Sequence, residues 1–132
     1  MNKRKFLIFW SVAVGSMDAI TGLLLVQSPK LVLKSLGIAL PSADALVFVS
    51  WVGAFVAGVG LCYAMALGER RRGKAVWQIT ALLRTVVAVF LISRLAAHTL
   101  VSAWWVVALT DLVVAVVQMV VLRAEWWEEG RR

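Results

Sequence analysis

The stretch that decides the fold is residues 75–97, AVWQITALLRTVVAVFLISRLAA, an apolar run with an arginine, Arg84, near its centre. It is long enough to cross a hydrocarbon layer of ~30 Å as one helix. A charge at that depth costs roughly 2.5–3.5 kcal/mol on insertion scales, so it normally has a partner inside the protein. The sequence therefore predicts a membrane-spanning helix whose arginine faces other helices and not lipid.

Three further apolar runs have a similar length, at about residues 6–27, 44–67 and 102–122. The chain of 132 residues is 62% hydrophobic, against about 45–50% in soluble domains. A helix satisfies its own backbone hydrogen bonds, which lipid requires. We expect an all-α integral membrane protein, one domain over residues 1–132, built as a four-helix bundle with antiparallel neighbours.

The longest connection, residues 28–43, carries helix signals of its own. Ser28 fits an N-cap, Pro29 fits the first turn and Gly37 fits the end. Two lysines four residues apart share one face, and leucines cover much of the rest. This pattern predicts a short interfacial helix between spans one and two, lying at the membrane surface.

The net charge is +7 and the pI is about 10.6, which in a soluble protein would indicate nucleic-acid binding. Here the basic residues flank the spans, and they favour the end of the bundle that carries both termini: Lys3, Arg4, Lys5, Arg70, Arg71, Arg72, Lys74, Arg123, Arg131 and Arg132, against Lys30, Lys34 and Arg94 at the other end. The positive-inside rule then predicts that both termini lie in the cytoplasm. Membrane lipids, and no nucleic acid, are the expected partners.

Several observations limit the function classes. Lys3–Lys5 before an apolar segment fit a signal peptide, but the run continues to Val26 and favours an uncleaved span. The single cysteine, Cys62, excludes an intramolecular disulfide. The single histidine, His98, fits an interfacial residue better than a ligand. Because no catalytic or metal-binding motif is found, we expect no enzyme activity, no metal and no cofactor.

The tryptophans indicate depth in the membrane. Six of them fall near the predicted ends of spans, where aromatic side chains are favoured: Trp10, Trp77, Trp104, Trp105, Trp126 and Trp127. Trp51 is different, because helical rise places it ~10 Å below the surface. Packing and the lining of a ligand cavity both explain that position, and we include Trp51 among the candidate ligand-binding residues.

Small residues at helical spacing mark packing faces on the first two spans. Span one has Gly15 and Gly22, and span two has Ala54 and Gly58, with a second small stripe beside them. Small side chains let membrane helices approach closely. The faces fit packing inside the bundle, and they also fit a homo-oligomer interface or a docking surface for the subunits of a larger complex.

The polar constellation is the main candidate site. Arg84 and Asp111 both lie near the middle of their spans, and Asp18 lies somewhat nearer the outer side. Each is flanked on its face by small or polar residues, among them Gln118 on the stripe of Asp111. We therefore predict that the three charges meet in the interior, with an Arg84–Asp111 ion pair as the first contact, since arginine clamps a carboxylate with two hydrogen bonds.

One arginine and two aspartates leave a spare negative charge, and three resolutions stay open. One aspartate is protonated, because burial disfavours the charged form; a cation neutralises it; or Asp18 reaches water near Arg94 and His98. The trio as a whole has two interpretations. It is either a polar staple that fixes the helix register or a ligand or proton site at bilayer depth.

Two stretches carry a family resemblance: residues 21–37, TGLLLVQSPKLVLKSLG, and the small-residue second span with GAFVAGVGLCYAMAL. The segments ALLRTVVAVF and VALTDLVVAVVQ place polar residues inside the third and fourth spans: Arg84, Asp111 and Gln118. The chain resembles the DoxX-like group of small four-helix bacterial membrane proteins. The resemblance implies that fold, a place in the bacterial inner (plasma) membrane, and a link to redox-complex accessory subunits or to quinone and thiosulfate metabolism, although no diagnostic motif of those activities is found.

These observations together predict a non-catalytic membrane binding or accessory protein. Its interior polar site is expected to be either structural glue or a pocket for a lipid- or quinone-like amphipathic molecule. A first alternative is a small proton-coupled multidrug-type exporter, in which Asp18 carries the proton; the basic bias and Arg84 weigh against it. A second alternative is a structural subunit of a larger membrane complex.

Overall fold

The structure is a computed structural model that describes residues 2–128, and every regular element in that range is helical. The helices are α1 (Lys3–Gln27), α2 (Pro29–Ser35), α3 (Ala43–Cys62), α4 (Arg70–Ala96) and α5 (Trp105–Arg123). Short 3-10 segments, Tyr63–Leu67 and Ser102–Trp104, extend α3 and precede α5. Each helix except α2 belongs to a segment long and apolar enough to cross a membrane. The predicted all-α four-helix bundle is confirmed.

Local sequence signals mark the start of α1 and both ends of α2. α1 begins at Lys3 because the side chain of Asn2 accepts a hydrogen bond from the backbone N–H of Arg4 (3.3 Å). The predicted short helix exists as α2, with proline in its first turn, and Gly37 beyond it has a φ of 70°. A glycine adopts this left-handed conformation without the strain that a Cβ brings. The interfacial position of α2 stays a prediction.

The end of the bundle at which α1 begins and α5 ends is called the terminal end below. α1 leaves it, α3 returns to it, α4 leaves it and α5 returns. The basic residues predicted to gather there include Arg131 and Arg132, which lie outside the described residues. Orientation across the membrane stays a prediction.

α1 and α3 form a tightly packed antiparallel pair because glycines line their contact. A Cβ built on Gly22 would lie 2.3 Å from the backbone nitrogen of Ala57 and 2.5 Å from the carbonyl oxygen of Gly53. One built on Gly15 would lie 3.0 Å from the carbonyl oxygen of Gly60. The two backbones approach so closely that only hydrogen fits at these positions. Gly15 and Gly22 thus lie at the helix contact proposed for span one.

The packing face predicted for span two needs a correction. Ala54 and Gly58 are exposed, and a Cβ built on Gly58 would meet nothing within 4 Å. The face that packs on α1 carries Gly53, Ala57 and Gly60, all buried. Both stripes consist of small residues, so the sequence alone does not distinguish them; the glycines of α1 select the one that packs.

α4 and α5 form the second antiparallel pair, with Ala88, Ala108 and Ala115 fully buried between helices. The two pairs meet through larger side chains. Towards the terminal end these are Leu7, Val14, Tyr63, Trp77, Val114, Val121 and Trp127. A second cluster towards the other end, with Leu91 and Leu95, lies within the α4–α5 pair and its connection. The outer surface is apolar on all four long helices, with Phe48, Phe55, Leu82, Val89 and Val113 more than half exposed. An exposed apolar surface of this extent suits contact with lipid acyl chains.

The tryptophan prediction is wrong for two residues. Trp77 is fully buried and Trp127 is only 6% exposed, although their positions in the sequence suggested interface anchors. The indole Nε1 of Trp77 donates a hydrogen bond to the hydroxyl of Ser11 (2.9 Å). Its ring packs edge-on against Trp127, with centroids 5.4 Å apart. Trp77 therefore fills the seam between α1 and α4, where a partner for its N–H is available.

Candidate functional site

Arg84 lies at the centre of the bundle and binds both aspartates. Its Nη1 donates to Asp111 Oδ1 on α5 and its Nη2 donates to Asp18 Oδ2 on α1. Arg84 and Asp18 are each 6% exposed, and the Asp111 side chain is 16% exposed. The predicted Arg84–Asp111 ion pair is present, and the guanidinium uses its fork geometry to hold a second carboxylate.

This arrangement joins the two helical pairs. The ion pair with Asp111 lies within the α4–α5 pair, whereas the ion pair with Asp18 crosses to the α1–α3 pair. The Ser11–Trp77 hydrogen bond crosses in the same way. Because residue 11 meets 77 and residue 18 meets 84, α1 and α4 run parallel. Polar side chains therefore fix the register of the two pairs.

A second set of buried polar groups lies about one helical turn nearer the terminal end. The hydroxyl of Tyr63 donates to Thr80 Oγ1 (3.1 Å), and the amide of Gln118 donates to Tyr63 (2.8 Å) and to Thr80 (3.0 Å). Thr80 in turn donates to the carbonyl oxygen of Val76 (2.8 Å). Tyr63, Thr80 and Gln118 are at most 3% exposed. Together with the ion pairs they form one polar column: Asp18, Tyr63, Thr80, Arg84, Asp111 and Gln118.

Sequence reasoning missed Tyr63 and gave Thr80 no role of its own. Thr80 lies four residues before Arg84 on α4, so the helical period already puts both on one face. Tyr63 is the first residue of the 3-10 segment that extends α3, and it is buried in the bundle. The detectable signal was the only tyrosine of the chain at the end of an apolar span, since a buried tyrosine needs a hydrogen-bond partner.

Two buried atoms of the polar column have no hydrogen-bond partner among residues 2–128: the Nε of Arg84 and the Oε1 of Gln118. One is a donor and the other an acceptor. Buried polar atoms are nearly always paired with protein or with ordered water, since leaving one unpaired costs about 1–3 kcal/mol. The column thus has hydrogen-bonding capacity beyond what the protein itself uses.

Trp51, the remaining candidate ligand-binding residue, does not belong to this site. It is 59% exposed and packs edge-on against Phe55, with ring centroids 5.5 Å apart. Its indole lies on the outer surface of α3, away from the polar column. The expectation that Trp51 lines an interior cavity is therefore corrected: its side chain faces outward, and it lies beyond Gly53, which packs against Leu25 and Val26 of α1 and not beside Asp18.

The chemistry available to the column is binding and charge compensation. Both carboxylates accept hydrogen bonds from the guanidinium of Arg84. The hydroxyl of Thr80, the phenol of Tyr63 and the amide of Gln118 lie next in the column. Within residues 2–128 no three His, Cys, Asp or Glu side chains are grouped so that they could hold a metal ion. The two aspartates and the arginine carry a formal net charge of one negative unit, which leaves the three resolutions given above open.

Comparisons of the chain with protein-family models, with curated proteins and with solved structures find no match. The DoxX-like resemblance therefore depends on the quoted residues alone and stays a prediction.

Proposed function

We propose that this protein is a non-catalytic membrane binding or accessory protein, placed in the bacterial inner membrane with both termini in the cytoplasm. Its polar column receives the headgroup of a lipid- or quinone-like amphipathic molecule. The observation that carries the proposal is the unpaired donor and acceptor, Arg84 Nε and Gln118 Oε1, buried beside a bridged pair of aspartates.

The chemistry of such a headgroup matches these atoms. A carbonyl oxygen of a quinone or of a lipid ester accepts from Arg84 Nε, and a hydroxyl group donates to Gln118 Oε1. The apolar part of the same molecule suits the surrounding helices, whose outer faces are hydrophobic. Small-molecule sites between bundle helices are typically apolar, with a few polar groups that fix the orientation of the ligand.

The exporter alternative has less support. A proton-coupled exporter needs a carboxylate that releases its proton and binds a cationic substrate, and Asp18 would have that role. Asp18 is already held by Arg84, and the guanidinium repels a cation. Substrate-driven proton flux in proteoliposomes that Asp18→Asn abolishes would replace the binding proposal with the exporter.

A subunit role in a larger complex is favoured by one observation on α3. Ala54 and Gly58 form an exposed small-residue face, with open space around Gly58. Such faces accept a second helix at close range. Co-purification of other chains that Gly58→Leu abolishes would support this role; unchanged assembly in that variant would contradict it.

The binding proposal is tested on protein extracted in a mild detergent, by native mass spectrometry and by chromatography of the released small molecules. We expect one bound amphipathic molecule per chain in the wild type and its loss in Gln118→Leu, which removes the unpaired acceptor. Thr85→Val is the matched control, since Thr85 lies on α4 and bonds only within its helix, to the carbonyl oxygen of Ala81 (2.7 Å).

Circular dichroism first establishes that both variants are folded. A wild-type protein that carries no small molecule contradicts the proposal, and so does a Gln118→Leu protein that retains it at the wild-type level. Loss in both variants alike would assign the effect to altered stability and would also overturn the proposal.

A further inference from the structure

The terminal end of the bundle contains a cavity that is separate from the polar column. Its volume is about 410 Å³, and it is lined by Arg70, Arg71, Lys74, Gln78, Trp127 and neighbouring atoms of Ala75 and Glu128. This volume falls within the ~300–1,000 Å³ typical of small-ligand sites. Three cationic side chains and one amide of α4 thus border a single concave surface, beside a tryptophan from the segment after α5.

The cavity has an excess of positive charge. Lys74 forms an ion pair with Glu128, whereas Arg70 and Arg71 have no ion-pair partner among residues 2–128. The neighbouring Arg72 does not line the cavity and pairs with Glu69 instead (Nε to Oε2, 3.2 Å). Two guanidinium groups are therefore left for an anion, and guanidinium binds phosphate oxygens through paired hydrogen bonds.

The surroundings indicate which kind of anion fits. Trp127 is 6% exposed, and its Nε1 is buried without an acceptor among the described residues. Trp126 and Trp10 lie nearby in the same aromatic cluster. Tryptophans gathered at one end of membrane-spanning helices mark the level of the lipid headgroups. Arg70 and Arg71, in the first turn of α4, lie at the same end, and basic side chains at this level attract anionic headgroups.

We propose that this cavity binds the phosphate group of one anionic phospholipid, held by Arg70 and Arg71 with Lys74 and Gln78 beside it. The acyl chains of that lipid lie along the apolar outer surface of the bundle. The proposal is independent of the ligand of the polar column, because the cavity and the column share no residue.

The test measures lipid binding to detergent-purified protein by native mass spectrometry, with phosphatidylglycerol and with phosphatidylcholine as probes. We expect the first phosphatidylglycerol to bind about tenfold more tightly than phosphatidylcholine. The double variant Arg70→Gln/Arg71→Gln should lose about tenfold or more of that affinity, with phosphatidylcholine binding unchanged. Arg72→Gln is the matched control, since it removes a neighbouring charge outside the cavity, and it should change the affinity less than about twofold.

Several results would overturn the site. An equal loss per removed charge in Arg72→Gln would show general attraction to a basic surface. If the wild type bound the two lipids equally, or if the double variant bound phosphatidylglycerol as tightly as the wild type, the headgroup would not be bound in this cavity. A competition measurement adds inorganic phosphate to the protein with bound phosphatidylglycerol. If millimolar phosphate displaces the lipid, the cavity binds a free anion and not a membrane lipid.

Discussion

Arg84 on α4 holds Asp18 on α1 while it also binds Asp111 on α5, so one side chain ties together the two helical pairs of the bundle. The pairs differ in how they are built. Within the α1–α3 pair the backbones nearly touch at glycines, whereas the seam between pairs is filled by large side chains and polar contacts. The stability of the seam should therefore depend on a few identified polar residues.

Arg84→Met should be strongly destabilising, because it leaves two buried aspartates without a counter-charge. Removing one partner of a buried ion pair typically costs 3–5 kcal/mol, and we expect a loss of about that size. The measurement is unfolding by sodium dodecyl sulfate in mixed micelles, followed by circular dichroism. Arg72→Met, which breaks only an exposed pair with Glu69, is the control and should change little. Equal midpoints for the two variants would contradict the role of Arg84.

Neutralising the aspartates should restore stability to the arginine variant. In Arg84→Met/Asp18→Asn/Asp111→Asn no buried charge is left, so the triple variant should recover most of the loss of Arg84→Met. Each single change, Asp18→Asn or Asp111→Asn, should cost about 1 kcal/mol, because a matched pair with Arg84 survives. The same micelle titration compares all four proteins. A triple variant less stable than Arg84→Met would show that the loss is one of packing and not of charge.

Gly22→Ala should separate α1 from α3, because its new Cβ would meet backbone atoms of Ala57 and Gly53, which have no room to move aside. Overpacking of this kind typically costs 1–3 kcal/mol. Gly58→Ala makes the same chemical change on the open face of α3, where no atom lies within 4 Å. Thermal unfolding in detergent should show a lowered midpoint for Gly22→Ala alone. A comparable decrease in Gly58→Ala would indicate that the outer face is covered by another chain.

Ser11→Ala should leave the buried Nε1 of Trp77 without its acceptor, at a cost of about 1–3 kcal/mol. The control is Ser16→Ala, an exposed serine of the same helix. Urea or detergent titration followed by tryptophan fluorescence measures both variants. The hydrogen bond would be unimportant to the seam if the two serine variants unfolded together.

The polar site was largely predictable, and the reason is the cost of charge in lipid. A charged side chain at this depth needs a partner inside the protein. The depth of Arg84, Asp18 and Asp111 and the small residues around them were therefore sufficient to predict their contact. Gln118 followed from its place on the stripe of Asp111. Trp51 was misplaced because the sequence does not give the direction of a side chain around its helix.

The sequence by itself determined the four spans, the short helix α2 and the meeting of the three charges. The spans follow from apolar length and internal backbone hydrogen bonds, which each segment provides by itself. The short helix follows from Pro29 and Gly37, and the meeting of the charges follows from the need of each buried charge for a partner. Only the tertiary structure decided which small-residue face of α3 packs, that Trp77 is internal and that Tyr63 completes the polar column. Each of these depends on the rotation of one helix about its axis, and that rotation is set by the shape of the neighbouring helix, which the sequence of a single span does not contain.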